Sequence, residues 1–304
     1  EAAIRGWSFG YPIVLKADGL AAGKGVVLAT QEEEALETLR AFLGGQFGEA
    51  SRTVVLEEPL VGMELSLHVL MDVDADHASY AVLPPCQDHK RIFEGDQGPN
   101  TGGMGAFGPI PFLTPEHLEC LRTELVEPTV RGLQQDGLVG RGVFFLGVMW
   151  TSQGPKLLEY NVRFGDPETQ VLMQLLEEDL LSLLLEVAEG RLRQRELGLK
   201  PGCAITVVLA GEGYPEAPRK GVPITIGPTD VTLIHAGTRR VDGQWLAHGG
   251  RVMNLATMAE DLPAAQAKVA RALEVVSWPG MQVRRDIGLR ALNHHRAGKG
   301  PFDP

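Results

Sequence analysis

Glu159, Asn161 and Arg163 stand two residues apart in the run Leu157-Leu-Glu-Tyr-Asn-Val-Arg-Phe-Gly-Asp-Pro-Glu168. On a β-strand, alternate side chains share a face. An acid, an amide and a guanidinium therefore line up, while Leu158, Tyr160 and Val162 point the other way. A carboxylate and an amide oxygen at this spacing suit a hard cation such as Mg2+, which takes few protein ligands and leaves its other positions to phosphate oxygens and water. The arginine next in line sits where a transferred phosphoryl group needs its charge offset. Asp166-Pro167 then signals a helix start, a place that can hold an anion. A plain polar outer face of an antiparallel strand is the alternative.

Four further segments could bind ligands. Lys16-Ala-Asp-Gly-Leu-Ala-Ala-Gly-Lys-Gly25 sets two lysines among glycines whose backbone N–H groups can turn toward an anion. It reads as a phosphate cradle rather than a P-loop, because a strand and not a helix follows. Val54-Val-Leu-Glu-Glu-Pro-Leu60 is an apolar strand ending in two acids and a proline. Such an unpaired edge can read an adenine through main-chain groups, and Glu57, Glu58 and Glu64 can accept from ribose hydroxyls or the adenine amine. Adjacent glutamates can equally be solvated surface. Gln87-Asp-His-Lys-Arg91 and Gly98-Pro-Asn-Thr-Gly-Gly-Met-Gly105 combine basic side chains with a backbone that a ligand can approach closely. Together they could hold a phosphorylated substrate, or form a long surface loop.

The elements that must position these groups can be read from pattern. Ile13–Ala17 and Val26–Ala29 read as a hairpin, Thr30-Gln-Glu-Glu33 as a capping box opening a helix that Gly44-Gly45 closes, and Thr53–Leu56 as a strand. Glu64–Met71 and Ala78–Leu83 read as strands, and Asp88–Gly108 as irregular. Thr114-Pro115 starts a helix toward Gln135. Gly142–Trp150 and Lys156–Val162 read as a strand pair. One leucine-rich helix is predicted from Asp166-Pro167 to Gly190. Beyond the charged stretch Arg191–Pro201 lie short strands at Ala204–Leu209, Thr232–His235, Gln244–Ala247 and Arg251–Ala256, then a helix from Leu262 to Val276. The expected domains are 1–62, 63–192 and a β-rich 200–293, with a flexible tail at 294–304. The chain opens on a helix end leading straight into a strand, with no initiating Met, so a fragment of a longer protein is expected.

Composition excludes several classes. The 304 residues carry 28 Lys+Arg against 39 Asp+Glu, a formal net charge of −11, which argues against a nucleic-acid partner. No apolar run is long enough for a bilayer span, so no membrane association is expected. Three cysteines without paired spacing argue against a disulfide framework and place the default in a reducing cytoplasm.

The motifs Ile13–Val26, Gln87–Arg91, Gly98–Ala106 and Glu159–Gln170, in that order, resemble the phosphoribosylamine–glycine ligases (glycinamide ribonucleotide synthetases) of the ATP-grasp superfamily. The resemblance runs from about residue 11 to Leu292 and includes His235–Thr238, Gly249–Val252 and Arg285–Gly288. It implies an α+β fold, with two ATP-grasp subdomains gripping ATP and a small β-rich C-terminal domain. It also implies that glycine is activated as glycyl phosphate and captured by 5-phosphoribosylamine, giving glycinamide ribonucleotide, ADP and phosphate in purine biosynthesis. Lys16, Gly23, Lys24 and Gly25 would hold the ATP phosphates, Glu57, Glu58 and Leu60 the adenine, and Glu64 the ribose. Glu159 and Asn161 would bind Mg2+ or Mn2+. Asp88, Lys90, Arg91, Asn100, Gly102, Gly103, Arg163 and Asp166 would line the site for the two substrates, with Arg163 and Lys24 as catalytic cations. A monomer is expected. Two features depart from the family pattern: its Rossmann-like N-terminal domain is absent from this stretch, and Val143–Trp150 carries no acid, leaving two metal ligands. Another ATP-grasp ligase, or an inactive nucleotide-binding fragment, is the alternative.

Overall fold

The computed structural model describes residues 1–19, 21 and 25–296, and the chain forms two compact units, Glu1–Val61 and Gly62–Pro304. In the first, helix α1 (Ala2–Arg5) precedes an antiparallel sheet of β1 (Ile13–Ala17), β2 (Val26–Ala29) and β3 (Val54–Glu57), ordered β2-β1-β3. Alternation decides its faces. Ile13 and Leu15 are fully buried against Ile4 and the Ala35, Leu36 and Leu39 stripe of α2 (Glu32–Ala41). Lys16 therefore lies on the opposite face, in register with Val26 on one side and Val55 on the other. The helix start differs from the expected box. Gln31 is the N-cap, and the Thr30 N–H and hydroxyl both donate to Glu34 at 2.7 and 2.9 Å.

The second unit is built on an antiparallel sheet ordered β11-β10-β4-β5, from β4 (Met63–Val73), β5 (Ala78–Val82), β10 (Gly140–Thr151) and β11 (Gly154–Asn161). The stretch expected to be irregular is instead largely strands: β6 (Gln87–Asp88), β7 (Arg91–Phe93), β8 (Gln97–Asn100) and β9 (Gly105–Gly108). Gly95 at φ 67° and Asp96 at φ 55° close the β7–β8 hairpin, a turn whose left-handed backbone favours glycine and tolerates aspartate. The predicted helix from Thr114 forms as α3 (Pro115–Leu121) and α4 (Glu127–Gln135), joined by a π-helical turn at Arg122–Val126. Pro128 follows that turn and has no N–H to give it. Thr114 and His117 cap α3 reciprocally.

The single helix expected over Asp166–Gly190 is two, α5 (Glu168–Leu175) and α6 (Leu180–Ala188). Leu176 leaves the helix at ψ 128° to pair with Leu199, and Asp179 caps the new start by accepting from the Ser182 N–H at 2.8 Å. Leucine periodicity runs through the break and hides it. Asp166 caps nothing; its carboxylate is taken by Gln170 at 2.8 Å and Arg251 at 3.1 Å.

The remaining strands are β12 (Cys203–Ala210), β13 (Val222–Pro223), β14 (Thr225–Ile226), β15 (Thr232–His235), β16 (Thr238–Val241), β17 (Gln244–Ala247), β18 (Arg251–Ala259), β19 (Val276–Ser277) and β20 (Gln282–Val283). Helices α7 (Leu262–Ala272) and α8 (Leu289–Arg296) complete the chain's described elements. A second sheet runs β15-β18-β12-β9-β6, so β9 of the glycine-rich stretch is hydrogen-bonded directly to β12. The two loops that could bind a ligand are thus built into the edge of a buried sheet. Among the described residues no helix is long and apolar enough to cross a membrane.

Candidate active site

Register brings the polar groups of the second unit onto one face. Gly147 of β10 faces Glu159 of β11 and Ser66 of β4, and Phe145 faces Asn161 and His68. Cross-strand partners share a face, so Glu159 and Asn161 look the same way as Ser66 and His68. A bulge shifts the register here, so that Gly147 faces Glu159 while the next residue, Val148, faces Leu157. Gly147 makes room for the acid, since a Cβ there would lie 3.2 Å from Glu159 Cγ.

The acid, amide and guanidinium form one row. Asn161 Nδ2 donates to Glu159 Oε1 at 3.1 Å, and Arg163 Nη2 to Asn161 Oδ1 at 3.4 Å. Glu159 and Arg163 are exposed and Asn161 is half-buried. The side-chain oxygens of Glu159 and Asn161 form a hard-donor set on an open edge, the chemistry a divalent cation takes. No cluster of three or more His, Cys, Asp or Glu side chains suited to a metal occurs among the described residues.

Beneath this edge lies a buried polar layer. Ser66 donates to Glu168 Oε1 at 2.8 Å, and the Gly165 N–H donates to His68 Nε2 at 2.9 Å. These two bonds fold the segment after Arg163 back over the sheet. His68 stacks on Phe145 at 4.6 Å. Burial, and then the charge of Arg163, pull the His68 pKa down to about 3, so it accepts as a neutral ring.

The Gln87–Gly105 stretch comes to the same region. Lys90 Nζ pairs with Glu64 at 2.6 Å. Burial alone would lower the lysine's pKa, but Glu64, then Asp88 and Glu159, outweigh it and raise it. Asp88 is pushed well above the carboxylate range by burial and by Glu168, with Lys90 opposing. Glu168 is likewise raised, chiefly by burial. Gly103, at φ 115°, packs where a Cβ would lie 2.5 Å from Pro167 Cδ and 2.8 Å from Asp88 Oδ1. This close approach needs glycine and sets the loop against the start of α5. Arg91 donates to the Gly98 carbonyl at 2.7 Å and pairs in register with Asn100, which is exposed.

Arg251 ties loop to helix start, donating to the Gly102 carbonyl at 2.9 Å and the Asp166 carbonyl at 2.6 Å. Tyr214 accepts from the Gly102 N–H at 3.1 Å. Ser66, His68, Glu168, Tyr214 and Arg251 were given no role by sequence reasoning. The only available signal was that Glu168 and Arg251 fall inside motifs of the family pattern.

In the first unit, Lys16 Nζ meets Glu57 Oε2 at 2.6 Å. Around this pair the open sheet face carries Val26, Leu28 and Val55, which are 51%, 53% and 38% exposed. Glu58 is exposed and Leu60 half-buried. The Gly25 carbonyl accepts from the Ala17 N–H at 2.8 Å. Gly23 and Lys24 lie outside the described residues.

Residues 3–169 match the family model of the phosphoribosylglycinamide synthetase ATP-grasp (A) domain, and residues 204–290 that of the phosphoribosylglycinamide synthetase C domain. A phosphoribosylamine–glycine ligase from Brucella melitensis is 47% identical over 295 residues, covering 95% of this chain and 68% of the relative. A trifunctional purine biosynthetic protein from Bos taurus is 42% identical over 286 residues, covering 92% of this chain and 28% of that one. The solved phosphoribosylamine–glycine ligase from Thermotoga maritima superposes with a TM-score of 0.82 at 37% identity, over 94% of this chain and 71% of that one. A biotin carboxylase domain from Hydrogenobacter thermophilus, in complex with MgADP, superposes with a TM-score of 0.67 at 20% identity, over 95% and 61% of the two chains; it shares the fold.

Proposed function

The chain belongs to the phosphoribosylamine–glycine ligase family, with an ATP-grasp fold, and on that premise we propose how its residues divide the reaction. The reaction joins the carboxylate of glycine to the amino group of 5-phosphoribosylamine at the expense of ATP. A glycine carboxylate oxygen attacks the γ-phosphorus, and ADP leaves. The amine nitrogen then attacks the acyl carbon of glycyl phosphate, a proton is lost, and phosphate departs. A carboxylate is a poor electrophile, and phosphorylation gives it a leaving group. The protein's share is positioning and charge neutralisation.

The observation that carries this reading is the hydrogen-bonded row Glu159–Asn161–Arg163 at the strand end, directly before α5. Glu159 and Asn161 would hold a divalent cation, Mg2+ or Mn2+, which when bound neutralises phosphate charge. Arg163 would sit beside the transferred phosphoryl group. Lys16, Gly25 and the undescribed Gly23 and Lys24 would hold the ATP phosphates, with Lys24 as the second catalytic cation. Glu57, Glu58 and Leu60 would take the adenine and Glu64 the ribose. The apolar face around Lys16 supports this, because a flat base covers exposed valines and leucines favourably. Asp88, Lys90, Arg91, Asn100, Gly102, Gly103 and Asp166 would line the site for glycine and phosphoribosylamine. Three bonded contacts support that grouping: Lys90 with Glu64, and Arg251 with Gly102 and with Asp166.

We further propose domains at 1–62, 63–192 and 200–293, a monomer, no nucleic-acid or membrane partner, and a cytoplasmic setting; these rest on the sequence readings and the family. The test is phosphate release from ATP. It should require glycine and phosphoribosylamine together. Equal release with bicarbonate or another amino acid in place of glycine would overturn the reading.

A further inference from the structure

The Arg285–Gly288 segment, common to this chain and the family pattern, touches none of the described residues assigned to ATP or the metal. Its neighbour Arg284 is 1% exposed, the one fully buried guanidinium among the described residues. It donates to Asp286 through Nε and Nη2 at 2.8 and 2.7 Å, to Asp96 at 2.8 Å and to the Arg91 carbonyl at 3.1 Å. The partners continue the grip on the same hairpin. Asp286 accepts from the Gly95 N–H at 2.9 Å, and Glu94 accepts from the Arg285 N–H at 3.0 Å. At the root of the hairpin the Gly288 N–H donates to His89 Nε2 at 3.2 Å.

Apart from the two Arg284–Asp286 bonds, which brace the fork itself, these bonds join residues 284–288 to residues 89–96, between 188 and 199 positions earlier. A buried arginine fork with two carboxylates has fixed geometry, because five coplanar donors must be matched at once. The hairpin it grips carries Lys90, Arg91 and Asn100, and its own turn depends on the left-handed Asp96. An isolated two-stranded hairpin is marginal by itself. Something outside it must fix where those side chains stand.

We infer that Arg284 is a positioning residue for the substrate loop: it clamps the β7–β8 hairpin to the C-terminal segment so that Lys90 and Arg91 are held ready for an anionic substrate. This rests on the ligase reading for the identity of that substrate, but not for the clamp. The clamp acts directly on the glycine and phosphoribosylamine side of the reaction and reaches the ATP side only through the Lys90–Glu64 pair.

The experiment uses the protein as it occurs, with three variants. Arg284→Gln removes the fork, Arg284→Lys keeps the charge, and Asp96→Asn removes one acceptor from a residue whose side chain is 44% exposed, so that folding is not in question. Arg284→Gln should raise KM for glycine or for phosphoribosylamine about tenfold or more, the scale at which a small misplacement of binding groups is felt, with a much smaller change in KM for ATP. Arg284→Lys should recover part of that loss. Asp96→Asn should move the same KM in the same direction by about threefold. Amide hydrogen exchange should quicken in residues 91–101 and stay slow in β4 and β10. KM values for all substrates rising together with exchange quickening everywhere would reduce Arg284 to a general stabiliser and overturn the proposal. Unchanged KM values and unchanged exchange would overturn it too. Absence of turnover in the unaltered protein would instead strike at the ligase reading, and the exchange pattern alone would then decide the clamp.

Discussion

The edge of β11 and the hairpin at 91–100 hold their charged groups in opposite ways. Glu159, Asn161 and Arg163 stand at an open strand end and bond mainly to one another. Lys90 and Arg91 stand on a segment whose backbone is fastened from beneath by Arg284, His89 and Asp286. A group meant to coordinate a ligand needs free lone pairs, so it must remain exposed and incompletely bonded. A group that fixes the position of another must be fully bonded, which at low dielectric means burial with every partner in place. The two regions therefore predict different responses to substitution: loss of activity without loss of stability at the edge, and at the buried groups a loss of local order or stability that reaches activity only through the residues they position.

The largest expected effect is at the edge. Glu159→Ala should lower kcat by about 10²–10³-fold, the usual cost of removing one preorganised charge contact at a phosphoryl-transfer site, while the urea midpoint stays where it was. Chelation of divalent cations should reduce activity comparably, with recovery on adding Mg2+ or Mn2+. Full activity in the Glu159 variant would remove the metal assignment. A large drop in its urea midpoint would break the contrast itself.

How much of this contrast was legible differs between the two regions. The edge row follows from period-two alternation over five residues, and the Lys16 face from the same rule in β1. Both are local, and a single stretch of sequence contains them. The β7–β8 strands were not legible, because glycine, proline and asparagine depress strand propensity and pairing with buried sheet neighbours overrides it. The α5–α6 break was hidden by continuous leucines. The clamp and the buried layer were invisible for a deeper reason. Ser66 and Glu168 are 102 residues apart, and Arg284 and Arg91 are 193 apart. Which residues meet at that separation is decided by sheet register and packing of the whole unit, and no local pattern encodes it. Asp166 shows the converse error. Asp-Pro before an apolar run is a sound cap signal, but a tertiary partner, Arg251, claimed the carboxylate.

The buried layer should reveal itself through acid. Burial holds His68 at about 3 and His89 at about 4, both below the ordinary 6.5. For His89, burial is reinforced by the charge of Arg284 and opposed by Asp96 and Asp286. Unfolding returns each ring to its ordinary pKa, so the unfolded chain binds more protons between roughly pH 4 and 6.5. Stability is then full above pH 6.5 and falls as the pH drops through that window, by about 1.4 kcal/mol per unit for each ring, on the order of 3 kcal/mol for His89 by about pH 4 and somewhat more for His68, whose window runs on to about pH 3. Asp88 and Glu168 are raised, and they act with the opposite sign, favouring the folded state as the pH falls toward the ordinary carboxylate range. Urea unfolding of the protein and of His89→Gln at pH 7, 6 and 5 separates these. The difference between the two should shrink steadily with acid, because the variant lacks one acid-labile group. A constant difference would mean that His89 is not held neutral by burial.

The smallest effect is expected at the Lys90–Glu64 pair, which lies where edge and hairpin meet. Its side chains are 41% and 45% exposed. Water screens a pair so placed, and an exposed ion pair is worth about 1 kcal/mol or less whatever its length. The lysine's raised pKa, with Glu64 and its hydrogen bond overcoming burial, gives a contribution present below its unfolded pKa and lost only as the pH rises through the higher folded value. Glu64→Gln should therefore change urea stability at neutral pH by less than about 1 kcal/mol, and the change should shrink in high salt. KM for ATP should rise if Glu64 takes the ribose, and an unchanged KM would withdraw that assignment. A loss of several kcal/mol, insensitive to salt, would place Glu64 in the buried layer with Glu168, and the division between a loose functional edge and a fastened scaffold would have to be drawn one residue row further out.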